Sequence, residues 1–245
     1  RKMWLDKFFS NIEGFFESNH GLNPTKQIPP FTCWLREAEI LNRDDKKISI
    51  AGKILADNYF SKENVVWEII WVNLSYNSTI AQWYVENVNW NTCLQKVEQE
   101  VLLRNSFPQY KERTLHNALE ALLNTFKEGP LGNTLLLGKH EVENKKTVVI
   151  KQPYNDISPV AVAYSLYRYA ASKKRYALTV SELYDAKQTE GIYRQFGVSR
   201  ERFETILRTL KEDKNRFLNA DLNMGLDNIN LREDLTAMDI LTTLM

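Results

Sequence analysis

Between Val65 and Leu74 the chain reads Val-Val-Trp-Glu-Ile-Ile-Trp-Val-Asn-Leu, an apolar run interrupted only by Glu68 and Asn73. At helical spacing, Val65, Val66, Trp67, Ile69, Ile70 and Trp71 leave almost no polar side. A helix that is apolar all round has to be surrounded by protein. The run is about half a membrane span, so it specifies a buried central helix rather than a transmembrane one. Ser61 is placed to cap it. Glu68 is expected at a narrow solvated edge, because a buried carboxylate is costly unless it is neutralised or bonded.

The rest of the sequence supplies partners for that helix. Trp4, Leu5, Phe8, Phe9, Ile12, Phe15 and Phe16 recur at helical spacing over 3–18, with Gly21 and Pro24 ending the run. After Pro29-Pro30, Phe31, Trp34, Leu35, Ala38 and Leu41 mark a second helical face. A polar turn over 42–47 leads to a short strand at Ile48–Ile50 and a helix near Gly52–Tyr59. Residues 79–88, 91–103 and 114–126 read as amphipathic helices. Gly129-Pro130-Leu131-Gly132 breaks the series, and 135–142 with 146–150 form a hairpin around Glu143-Asn144-Lys145.

Residues 153–157 read as a linker, and the stretch beyond is sharply punctuated. Ser158 caps a helix with Pro159 at its first position, running to about Ser172. Thr179-Val-Ser-Glu182 is a capping box. Ser199 caps a helix from Arg200 to Lys211 whose core stripe is Phe203, Ile206, Leu207 and Leu210. Residues 217–223 and 226–231, around Met224-Gly225, give a two-stranded wing, and a last helix covers 235–244. Three helices followed by a hairpin are a winged-helix signature. The expected fold is therefore mainly α, with winged-helix-like units at both ends and a helical middle carrying a hairpin. The expected divisions are 1–60, 61–152 and 153–245.

Composition narrows the function. With 32 Lys+Arg against 31 Asp+Glu, bulk charge cannot make a nucleic-acid footprint, although local charge can. From Ser165 to Arg216 twelve Lys/Arg face seven acids, a net of +5, and from Phe217 onward one Arg faces five acids, a net of −4. Positive charge is thus segregated onto the helix-turn-helix portion, where phosphate contacts would need it. The candidate DNA-binding residues are Lys173, Lys174, Arg175, Ser199, Arg202, Arg208, Lys211 and Arg216. Against them, the exposed line of the helix includes Glu201 and Glu212.

No catalytic or metal motif is present. His20, His116 and His140 sit in no nucleophile or ligand pattern, and no GxSxG, HExxH, Walker or GxGxxG sequence occurs. Cys33 and Cys93 have no ligand spacing and read as reduced, buried thiols. No catalytic residue, metal or cofactor site is assigned. No membrane partner is expected, and the protein reads as cytoplasmic. The opening Arg1-Lys2-Met3 reads as the start of a fragment of a longer polypeptide.

Three packing motifs carry a resemblance: Phe31-Thr-Cys-Trp-Leu-Arg-Glu-Ala-Glu-Ile-Leu, Ile50-Ala-Gly-Lys-Ile-Leu and Val66-Trp-Glu-Ile-Ile-Trp-Val-Asn-Leu-Ser-Tyr-Asn. They resemble a bacterial domain family of unknown function. Its members are fused to, or encoded beside, phosphoadenosine phosphosulfate (PAPS) reductase-like proteins, some in DNA phosphorothioation and phage-defence loci. The resemblance implies a non-catalytic accessory region that docks a reductase-like protein on DNA or on partner subunits. An alternative is that the region completes the active site of the parent sulfur-transfer enzyme across a domain interface. The reductase's pyrophosphate loop and cluster cysteines have no counterpart in this sequence.

Overall fold

The computed structural model describes residues 2–143, 146–223 and 225–245; the centre of the first expected turn and Met224 of the second lie outside the described residues. The amino-terminal aromatic run does not form one helix. Helix α1 (Lys2–Ser10) stops, and a short 3-10 turn at Phe15–Glu17 follows. Asn11 is the breaker: its Oδ1 accepts the Gly14 N–H at 3.2 Å, a local bond that competes with helix propagation. The fold-back packs Phe8 edge-on against Phe15, with ring centroids 5.3 Å apart, and both rings against Phe31.

Helix α2 (Ile28–Glu37) and helix α3 (Ile50–Tyr59) follow. The strand expected between them shrinks to one antiparallel bridge, Leu41 with Ile48. Ser49 is diverted to cap α3, its Oγ accepting the Gly52 N–H at 2.8 Å. Gly52 lies so close to the preceding turn that a Cβ there would sit 2.1 Å from the Ile40 carbonyl oxygen.

Helix α4 (Glu63–Asn77) is the central helix, buried continuously from Val66 to Ser75. Lys62 rather than Ser61 precedes it; the Ser61 hydroxyl instead donates to the Asn58 carbonyl at 3.3 Å. Around it lie α5 (Thr79–Asn87), α6 (Lys96–Ser106), α7 (Glu112–Lys127) and the single turn α8 (Pro130–Asn133). Strands β1 (Gly138–Glu143) and β2 (Lys146–Lys151) pair antiparallel with Gly138 opposite Lys151.

The carboxy-terminal unit begins with α9 (Pro159–Lys173), β3 (Ala177–Thr179), α10 (Val180–Leu183), α11 (Ile192–Phe196) and α12 (Arg200–Glu212). Strands β4 (Leu218–Asp221) and β5 (Asn228–Leu231) and helix α13 (Ala237–Thr242) complete it. The sheet order is β3-β5-β4, all antiparallel, so the strand after α9 pairs with the last strand of the hairpin. Ser158, Thr179 and Ser199 cap α9, α10 and α12 as their spacing predicts. The fold is mainly helical with two small antiparallel sheets.

Glu68 does not face solvent. It is 1% exposed and receives the Ser158 hydroxyl at 2.5 Å, the Tyr154 hydroxyl at 2.9 Å and the Ser158 backbone N–H at 3.2 Å. One carboxylate of α4 thus holds the amino-terminal end of α9, where a negative group is favoured. The segment read as a linker is a strap pinned by this contact. Tyr154 and Ile157 are buried, and the Tyr154 N–H donates to the Phe196 carbonyl at 2.8 Å. Burial outweighs the three donors and pushes the Glu68 carboxyl up to about 7.

Further buried polar bonds follow the same helix. Tyr164 donates to Asn73 Oδ1 at 2.7 Å, and Asn73 donates to the Ala38 carbonyl at 3.0 Å. Gln195 joins Ser165 and Ser75, and its carbonyl accepts the Trp71 indole N–H at 2.7 Å. Lys151 is buried without a carboxylate. Its Nζ donates to the Val88 and Arg194 carbonyls, both at 3.1 Å, and lies 4.1 Å from the centre of the Trp90 ring. Burial holds its pKa well below the ordinary amine value.

Glu68 makes stability depend on pH. The folded state retains a proton that the unfolded chain releases near 4.5, so stability present below that pH is lost as pH rises through about 7. Urea unfolding midpoints should fall across this window, and Glu68→Gln should flatten the slope; an unchanged slope in the variant would refute the assignment. Gly52→Ala should cost about 1–3 kcal/mol in the same unfolding experiment, because the methyl group overpacks against backbone.

Candidate functional site

The carboxy-terminal unit presents α12 with Phe203, Ile206, Leu207 and Leu210 buried against α9 and β4. Glu201, Arg202, Thr205, Arg208, Thr209, Lys211 and Glu212 are exposed. Its hydrophobic stripe and its outward line are both as the periodicity predicts. Contacts at the two ends of α12 decide where the basic residues fall. Arg200 lies 3.9 Å from Asp227, and Asp227 accepts the Ser181 N–H at 2.8 Å. The amino-terminal end of α12 therefore shares one end of the unit with the β4–β5 connection. The opposite end carries the turn after α12, the turn after α9 and the residues after β5. There the Leu231 N–H reaches the Tyr176 carbonyl at 2.9 Å, and the Tyr167 hydroxyl donates to the Phe217 carbonyl at 2.7 Å.

The eight candidate residues are split between these two ends. Ser199 and Arg202 lie at the wing end, Arg208 and Lys211 lie along α12, and Lys173, Lys174, Arg175 and Arg216 lie towards the opposite end. A rod of 13 residues is roughly 20 Å long, so the groups do not form one cluster.

Most of the candidates are also engaged within the fold. Lys173 pairs with Glu190, and Arg175 with Glu182 at 2.7 Å. Ser199 Oγ accepts the Arg202 N–H at 3.3 Å, which is its capping bond. Arg202 Nε donates to the Asn155 carbonyl at 3.1 Å, and Arg208 lies 3.7 Å from Glu204. Lys211 Nζ donates to the Ala220 carbonyl at 3.0 Å. Exposed ion pairs of this kind add little stability, but they do occupy the cations. Helical periodicity already places Glu204 one turn before Arg208, whereas the partners of Lys173, Arg175, Arg202 and Lys211 come from other segments.

The histidines are accounted for by local structure. His20 stacks on Phe15 with 4.8 Å between ring centres, and its Nδ1 accepts the Leu22 N–H. The ring nitrogens of His116 lie 2.8 Å from Glu100 and 3.2 Å from Glu120, tying α6 to α7 beside a charged cleft of about 350 Å³. His140 is exposed on β1. Cys33 and Cys93 are both exposed, contrary to the expectation of burial. On α2 the core face is taken by Phe31, Trp34 and Leu35, which turns Cys33 outward to the rim of an apolar groove. Among the described residues no helix is long and apolar enough to cross a membrane.

No protein-family model matches the sequence, and no curated protein matches it either. Solved structures do. Two SspB crystal structures superpose on the whole of this chain and on 83% of their own, with TM-scores of 0.73 and 0.71. The chain has the fold of SspB. Sequence identity to the two is only 13% and 12%, so what the likeness carries is the backbone arrangement. One of the two SspB structures is described as bound to a magnesium ion. Among the described residues of this chain, no group of three or more His, Cys, Asp or Glu side chains is arranged to hold a metal.

Ser199 is assigned here to capping. Ser199→Ala should lower the melting temperature by about 2–4 °C, a loss of about 1 kcal/mol, and Ser199→Asp should restore it. Thermal unfolding of the two variants checks the assignment; equal melting temperatures for wild type and Ser199→Ala would contradict it.

Proposed function

We propose that this protein is an accessory component of a DNA-modification system of the phosphorothioation type, which it serves by docking on duplex DNA through its carboxy-terminal winged-helix-like unit. The observation that carries the reading is the likeness of fold to SspB, a protein associated with DNA phosphorothioation, over the whole of this chain and 83% of that one. Two further features support it. The three packing motifs resemble a family linked to such loci, and positive charge is concentrated between Ser165 and Arg216. In this reading the PAPS reductase-like protein is the partner brought to DNA.

The internal pairing described above sets the expected strength. Few cations are left for phosphate, so binding should be weak, independent of sequence and sharply salt-dependent. With about three phosphate contacts, raising salt from 50 to 200 mM should weaken duplex binding about 40-fold. Titration of a labelled duplex across that range, read by fluorescence anisotropy, tests the reading. Absence of binding at 50 mM salt, or affinity indifferent to salt, would overturn it.

A further inference from the structure

Within this unit the cations of α12 have protein partners, whereas Lys174, Lys214 and Arg216 do not. All three are exposed, and none makes a side-chain hydrogen bond or ion pair among the described residues. The topology places them at one end. Lys174 follows α9 two residues before Tyr176, whose carbonyl is bonded to Leu231. Lys214 and Arg216 flank Asn215, whose carbonyl accepts Arg232 Nη1 at 3.3 Å. Tyr167 holds this end together, its hydroxyl donating to the Phe217 carbonyl and accepting the Arg232 N–H. The acids that share it are exposed Glu212 at the end of α12, Asp213, which caps the turn through Asn215 N–H, exposed Glu233, and Asp234, which pairs with Arg232.

Backbone conformation singles out two of the three. Lys174 and Arg216 adopt left-handed backbone, with φ of 55° and 48°. Lys174 is the left-handed cap that ends α9, and Arg216 closes the turn after α12 with its N–H on the Asp213 carbonyl; at such left-handed positions glycine is the favoured residue. Two separate turns therefore keep a strained cation where a glycine would fit more easily. At the wing end the balance is reversed: Arg200 is shared by Glu204 and Asp227, and Glu201 stands exposed beside Arg202.

We propose that Lys174, Lys214 and Arg216, at the end of the sheet away from the wing, form the phosphate-contacting surface for duplex DNA in place of α12. This rests on the docking reading above and fixes its polarity: the unit meets the duplex with its basal turns, and the face of α12 is left for protein contacts.

The test compares two triple variants of the full chain in the duplex titration. Lys174→Gly with Lys214→Ala and Arg216→Gly should lose at least tenfold in affinity at 50 mM salt, and the log–log salt slope should become shallower by about 2–3. Its melting temperature should not fall, since glycine relieves the left-handed strain. Arg202→Ala with Arg208→Ala and Lys211→Ala should bind within twofold of wild type. Wild-type binding by the basal variant, an equal loss in the α12 variant, or a lower melting temperature in the glycine variant would each overturn the proposal while leaving the docking reading standing. Absence of duplex binding by the unaltered chain would remove the docking reading and this proposal together.

Discussion

A carboxylate in the middle of an apolar helix has to be answered by donors, and the answer given to Glu68 organises the molecule. Its two oxygens collect two hydroxyls and a backbone N–H from a strap and a helix start some 90 residues further along the chain. The rest of the polar face of α4 behaves alike: Asn73 is read by Tyr164, and Ser75 and Trp71 by Gln195. Apolar packing alone would let α9 slide or rotate against α4, because hydrophobic contact is non-directional. The bonds remove that freedom, since each misplacement would leave a buried polar group unpaired. Because α9 is also the first helix of the carboxy-terminal unit, the placement of that unit descends from Glu68 together with the Asn73 and Gln195 bonds.

What could be read in advance was local. Ser158, Thr179 and Ser199 cap their helices because a hydroxyl three residues before an amide is a short-range device that needs no tertiary partner. The stripe of α12 was legible for the same reason. Failures came where a distant group decides. Glu68 looked like a solvent edge because its donors are far away in sequence. Residues 153–157 looked like a linker because nothing local shows that Tyr154 will reach that carboxylate. Asn11 ended the first helix by a bond that periodicity does not score. The outward line of α12 is exposed as its periodicity predicts, yet Glu190 and Glu182 as partners of Lys173 and Arg175, and the division of the candidates between two ends of a sheet, depend on tertiary packing.

The low identity to SspB sharpens the meaning of that division. At 13% identity a shared backbone says that the layers, caps and strand order are compatible with many surfaces, so function has to be argued from the side chains of this chain. In the carboxy-terminal unit the side chains give a scaffold whose outward helix is electrostatically self-satisfied and whose basal turns are not. In the helical layers they give an apolar groove rimmed by Cys33 and an α6–α7 clasp through His116. These are distinct surfaces around one contiguous core.

The distance along the chain between Glu68 and Ser158 also sets a clock on synthesis. At roughly 5–20 residues per second a ribosome needs about 5–20 seconds to make the intervening segment. For that interval α4, with Trp67, Trp71 and its Ile pair, has no α9 to cover it. Helices made in the meantime, α5 above all, cover part of α4, and the face that α9 takes is shielded last. Until the strap emerges, α2, α3 and α5 are the cover that α4 has.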